Sequence, residues 1–181
     1  IDLLKEADIV VTNPPFSIAR EDFIPQLFEY KKKFLIIGDL NWVTYKIIFP
    51  LLKNNEMWMG YSAVKEFLQP DGTIKKFGNK LWFTNLDIKK RHEKLILWKN
   101  YKPAEFPKYD DCDAVNVDKV TEIPCDYAGV MGVPITFLDK YNPEQFELLS
   151  INRCMVSGVT LYVRIFIKNR HPEPPVDNQT Q

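Results

Sequence analysis

Residues 7–16 read Ala-Asp-Ile-Val-Val-Thr-Asn-Pro-Pro-Phe, and the rest of the chain can be laid out from them. The apolar run from Ile9 to Val11 is too short for a helix and is β-branched, which predicts a buried parallel strand. It ends in a polar-Pro-Pro-aromatic corner. The two prolines fix two φ angles and remove two backbone donors, so the corner is stiff and rich in acceptors. Residues 17–32 then follow with helical periodicity. A rigid corner between the carboxyl end of a strand and a helix is where open α/β sheets place their ligands.

That corner has the parts for one demanding reaction, methyl transfer from a sulfonium donor to the exocyclic amine of adenine. The amine is the obstacle, because its lone pair is delocalised into the ring. Two acceptors for its N–H groups favour a pyramidal, more nucleophilic nitrogen. The side-chain oxygen of Asn13 and the carbonyl of Pro14 can be those acceptors. Pro15 would hold the Pro14 carbonyl in place, and Phe16 would stack on the base. A base within a duplex reaches such a corner only when flipped out, at a cost of about a few kcal/mol. No metal, Cys or His is needed.

The same residues carry a family resemblance. Asn13-Pro-Pro-Phe16 resembles the catalytic motif of the amino-methyltransferases. The longer stretches Asp8-Ile-Val-Val-Thr-Asn-Pro-Pro-Phe-Ser17 and Lys33-Phe-Leu-Ile-Ile-Gly38 are similar to the EcoRI-type adenine-specific DNA methyltransferases. So are Ala114-Val-Asn-Val-Asp-Lys-Val-Thr-Glu-Ile-Pro-Cys-Asp-Tyr127 and Met131-Gly-Val-Pro-Ile-Thr-Phe-Leu-Asp-Lys-Tyr141. The likeness covers most of residues 1–150 and weakens from Ile151 on. It implies an α/β, Rossmann-like methyltransferase fold with a mixed sheet, S-adenosyl-L-methionine as donor, and a flipped-out adenine in double-stranded DNA as acceptor. It also implies catalytic roles for Asn13, Pro14, Pro15 and Phe16, with Asn13 reaching toward the donor. A restriction endonuclease in the same system, without a stable complex, and a bacterial or phage-encoded cytoplasmic protein go with it.

None of the seven glycines forms a Gly-x-Gly pattern after a strand. The resemblance places the donor-binding loop and the acidic ribose ligand ahead of Asn-Pro-Pro-Phe. The chain also starts at Ile1 and enters its key strand within ten residues. It therefore reads as the C-terminal portion of a methyltransferase, expected to bind donor weakly or not at all and to be inactive by itself. Residues 1–61 are expected to belong to the catalytic sheet. Residues 62–170 would carry the remainder of that sheet with inserted target-recognition segments, and residues 171–181 a disordered tail.

Composition narrows the partners. The chain has 181 residues, 45% of them apolar, with 24 basic and 24 acidic side chains, so nothing in the net charge steers it toward nucleic acid. Contacts to DNA must come from local patches, and the basic stretches give Lys75, Lys76 and Lys80, then Lys89, Lys90 and Arg91, as phosphate contacts. No run is long enough to span a membrane and no signal peptide is visible. The cysteines at 112, 125 and 154 form neither a disulfide framework nor zinc spacing, and the acidic stretch at 110–113 fits no calcium loop. No metal is expected.

Along the chain the patterning predicts a helix over 19–30, a strand over 34–38 and a helix over 42–53 interrupted at Pro50. Further strands are expected over 56–61, 81–85, 95–98, 135–138 and 159–167. Asn142-Pro143-Glu144-Gln145 reads as a helix start. Asp39 and Asn41 are placed on the rim that holds Asn13, as loop and cap residues. Two other classes remain open. One is a methyltransferase of a ribosomal RNA base or a protein glutamine. The other is a non-catalytic nucleic-acid-binding module.

Overall fold

The computed structural model describes residues 2–15 and 19–174. The chain divides into two compact units, Ile1–Arg91 and His92–Gln181. Each is built on its own four-stranded mixed sheet.

The first unit opens with a short helix, α1 (Asp2–Glu6), and the strand β1 (Ile9–Thr12). The predicted helix after the corner is present as a widened π turn, Ala19–Phe23, running into α2 (Ile24–Glu29). It buries Ile24 and Leu27, and Phe28 meets Phe34 edge to face at 5.6 Å. The lysines after α2 have a structural use: Lys32 Nζ donates to the carbonyls of Lys5 and Ala7 and ties down the approach to β1.

Strand β2 (Lys33–Asp39) runs parallel to β1, with Thr12 opposite Ile36. A 3₁₀ turn, Leu40–Thr44, and α3 (Ile48–Lys53) follow. The break in this second helical stretch falls at 45–47 and not at Pro50. Pro50 occupies the first turn of α3, where the missing N–H would have had no intrahelical partner.

The long strands β3 (Trp58–Leu68) and β4 (Ile74–Thr84) form an antiparallel hairpin, and β4 also pairs antiparallel with β2. The order is β1-β2-β4-β3, so the parallel pair is completed by antiparallel strands. One expectation about β1 is corrected: it is an edge strand among the described residues and not a buried one. Ile9 and Val11 are 52% and 63% exposed, because only β2 flanks them.

The second unit pairs β5 (Val115–Asn116), β6 (Met131–Pro134), β7 (Phe146–Asn152) and β10 (Arg164–Asn169) in the order β5-β6-β10-β7. A small hairpin, β8 (Met155–Val156) with β9 (Val159–Thr160), stands apart. The patterning misplaces several elements here. Residues 95–98 lie outside the named strands, and residues 135–138 fall in a 3₁₀ helix, Ile135–Lys140, just after β6.

The helix expected from Asn142 is a single turn. Asn142 does cap it, since its Oδ1 accepts the Glu144 N–H at 2.8 Å. The chain then turns extended, because β7 buries Phe146 and Leu148 at alternate positions and pairs with β10. The run over 159–167 is likewise split, into β9 and β10. At the other end the Glu173 N–H still bonds the Cys125 carbonyl at 2.9 Å. No helix among the described residues is long and apolar enough to cross a membrane.

Candidate functional site

The carboxyl ends of β1 and β2 form one rim of the first sheet. β1 stops at Thr12, so Asn13 emerges at that rim and is exposed, Pro14 is buried and Pro15 is exposed again. The Pro15 carbonyl accepts the Ala19 N–H at 3.0 Å, which locks the corner to the helix that follows. The two acceptors read from the sequence, the Asn13 amide and the Pro14 carbonyl, thus fall on an exposed and a buried residue respectively. Phe16 lies outside the described residues.

β2 runs on past the level of Asn13 to Asp39, whose carboxylate is fully engaged. One oxygen caps the 3₁₀ turn by accepting the Asn41 N–H at 2.8 Å, as the Asp-x-Asn spacing suggested. The other accepts Lys80 Nζ at 2.6 Å and Asn79 Nδ2 at 2.7 Å. Both partners arrive from β4, where Lys80 stands directly opposite Asp39. Sequence alone could not pair residues 41 positions apart; only the antiparallel insertion of β4 beside β2 does so. Behind the rim, Trp42 stacks on Phe83 at 5.7 Å and lies across Gly38, where any Cβ would collide with both rings.

The six basic residues singled out from sequence separate into two groups. Lys75, Lys76 and Lys89 are exposed. Lys76 makes only a 3.7 Å contact with Glu66 while remaining 81% exposed, an arrangement worth little energy. The other three are held by the fold. Lys80 is buried against Asp39. Lys90 Nζ donates to the carbonyls of Gly60 and Tyr61 at 3.1 and 3.2 Å. Arg91 lies 3.4 Å over the Trp58 ring and donates to Asn55. Trp58 in turn donates its indole N–H to the Leu86 carbonyl at 2.9 Å.

In the second unit the cysteines show a closeness that their spacing hid. The Cys112 and Cys154 sulfurs are 3.2 Å apart, and a carboxylate oxygen of Asp111 completes a group of donors within 4.8 Å. Burial, reinforced by the Cys112 thiol, pushes Cys154 up to about 12, so it stays protonated at neutral pH.

The comparisons bear on the whole of this architecture. A family model for the adenine-specific methyltransferase EcoRI matches residues 1–173. The chain is 47% identical to the type II methyltransferase M.EcoRI of Escherichia coli, over 94% of this chain and 60% of that protein. It is 41% identical to M.MgeORF184P of Mycoplasma genitalium, over 93% of this chain and 60% of that one. With M.MpnI of Mycoplasma pneumoniae the identity is 37%, over 94% and 60%. The chain thus spans about 60% of the length of each of these relatives. No solved structure matches it. The family model's match over residues 1–173, with 47% identity to one relative over 94% of the chain, establishes that the chain belongs to the EcoRI-type adenine-specific methyltransferase family.

Proposed function

We propose that this chain carries the acceptor half of a site-specific DNA methyltransferase, which moves a methyl group from S-adenosylmethionine to the N6 amine of a flipped-out adenine. The single observation behind it is the corner at Asn13 to Pro15: an exposed amide over a buried proline at the carboxyl end of a parallel strand, within a family match of 173 residues. Asn13 Oδ1 and the Pro14 carbonyl accept the two N–H groups of the target amine. That withdraws its lone pair from the ring. The amine would form the new N–C bond as the donor's sulfur–methyl bond breaks, leaving a neutral thioether, and the amine's surplus proton would pass to water. Phe16, next along the chain, stacks on the base.

S-adenosylmethionine, when bound, supplies a methyl group already activated on sulfur. The rim fits such a donor only in part. The exposed Asn13 amide can face it, but no Gly-x-Gly cradle follows a strand in this sequence. In the Rossmann-like methyltransferase fold, donor-binding strands pair alongside the strand that carries this corner. The open edge of β1, with exposed Ile9 and Val11, is suited to them. In the same reading the protein works in the cytoplasm, with a cognate restriction endonuclease acting beside it.

The test is transfer of a labelled methyl group by the natural full-length protein to unmethylated double-stranded DNA, followed by digestion to nucleosides. The expected result is label in N6-methyl-2′-deoxyadenosine. Label in ribosomal RNA or on protein glutamine, with none in DNA, overturns the substrate. No transfer to any of these acceptors favours a non-catalytic nucleic-acid-binding module.

A further inference from the structure

The strand register shows where the β3–β4 hairpin goes. Asp39, the last residue of β2, pairs with Lys80, so residues 74–79 of β4 continue past the end of β2 with only β3 beside them. β4 is antiparallel to β2, so this extension leaves the sheet at the rim that holds Asn13 and Asp39. At about 3.4 Å per residue the two-stranded ribbon stands roughly 20 Å above that rim. With strands about 4.8 Å apart, it rises roughly 10 Å to the side of Asn13.

An isolated two-stranded ribbon is marginal in water, yet this one is braced. Phe67 and Phe77 meet edge to face at 5.2 Å, and Lys75 Nζ lies 5.3 Å from the Phe77 ring. At the tip Asp71 accepts both the N–H and the hydroxyl of Thr73, at 2.9 and 2.6 Å, and Gly72 takes the positive φ of 81° that the turn demands. The ribbon's outer surface is unusual for a solvated hairpin. Leu68 and Ile74 stand opposite each other at the tip, 76% and 61% exposed. Lys65, Lys75 and Lys76 are exposed below them.

We infer that the ribbon formed by residues 65–77 is a DNA-reading element that enters a groove of the duplex beside the flipped adenine. A two-stranded β-ribbon fits the major groove, about 12 Å wide. Lysines at its flanks meet phosphates, and the Leu68–Ile74 tip offers apolar surface to thymine methyls or base steps. The position supports duplex DNA as the occupant: anything that presents a base to Asn13 must pass beside this ribbon. The inference rests on the proposed adenine methylation and adds the element that holds the duplex.

The test uses the natural full-length protein with two paired variants, Lys75→Ala/Lys76→Ala and Leu68→Ser/Ile74→Ser. Affinity for a fluorescent duplex of about 30 base pairs, long enough to fill a groove-binding site, is measured against salt by anisotropy. Thermal melting and chain association are followed alongside. The lysine variant should keep its melting temperature and lose about 2 from the slope of log affinity against log salt, near one per phosphate contact. The Leu68/Ile74 variant should raise KM for duplex about tenfold, at unchanged affinity for S-adenosylmethionine, as the loss of one good base contact would. Unchanged slope and unchanged KM in both variants overturn the inference, as does a loss of self-association in their place. The salt slope needs no turnover, so a wild-type protein that methylates no adenine refutes the reaction and still leaves the ribbon decided.

Discussion

At one rim of the first sheet Asn13 stands exposed, and Asp39 holds Asn79 and Lys80 together. In the second sheet the comparable amide, Asn116 in β5, is buried among partners. Its Oδ1 accepts the Tyr109 hydroxyl at 2.8 Å and Arg164 Nε at 3.3 Å, and its Nδ2 donates to Asp118 at 2.7 Å. An amide whose bonds are all made within the protein stabilises the fold. An amide left exposed on a stiff proline corner is available to a ligand. The same residue type thus serves opposite ends, and its surroundings decide which.

Paired substitutions can break that contrast. Asn13→Ala in the full-length protein should lower turnover by about 10²–10³-fold, the usual effect of removing one preorganised group that stabilises a transition state. Donor affinity and melting temperature should stay near wild type. Asn116→Ala should do the reverse, costing about 1–3 kcal/mol in urea unfolding because Tyr109 and Arg164 lose their shared acceptor, with turnover per folded molecule unchanged. If Asn116→Ala abolished turnover at unchanged stability, the second sheet would contain site residues and the contrast would fail.

A smaller effect probes the support of the rim. Gly38→Ala places a methyl against Trp42 and within 2.8 Å of Phe83. Overpacking of this kind costs about 1–3 kcal/mol. The urea midpoint should fall at constant m-value, and shortening the overlying ring with Trp42→Leu in the same chain should recover part of the loss.

The contrast also explains which parts of the molecule were legible in sequence. The first unit announces itself, because β-branched runs bounded by proline, lysine and Asp-x-Asn punctuation have little competing structure. β1, β2 and the helix between them come out close to their expected bounds. The corner from Asn13 to Pro15 is legible in its place for the same reason, directly after β1. The ribbon's length was hidden, because its distal half carries no buried face to impose alternation. Lys80 and Arg91 looked like DNA contacts because a basic run shows charge but not the distant Asp39 or Trp58 that claims it. In the second unit local signals were overridden by pairing: Asn142-Pro143 starts a helical turn as its residues dictate, but Phe146, Leu148 and Ile151 pair into the sheet with β10.

The subtlest way to sharpen the contrast is through pH. Burial pushes the Tyr109 hydroxyl from 10.0 up to about 12, against the pull of the Arg164 charge. Below pH 10 the phenol is neutral in both folded and unfolded chains, so it makes no pH-dependent contribution. Between pH 10 and 12 the unfolded phenol ionises while the folded one, donating to Asn116, does not. The folded state therefore loses stability across that window. Tyr109→Phe should cost about 1 kcal/mol at neutral pH for the lost hydrogen bond. It should also lose less stability than wild type between pH 10 and 12, so the two curves converge as pH rises. Parallel curves would mean that the Tyr109 hydroxyl reaches water, and Asn116 would then have to be regarded, like Asn13, as an accessible amide.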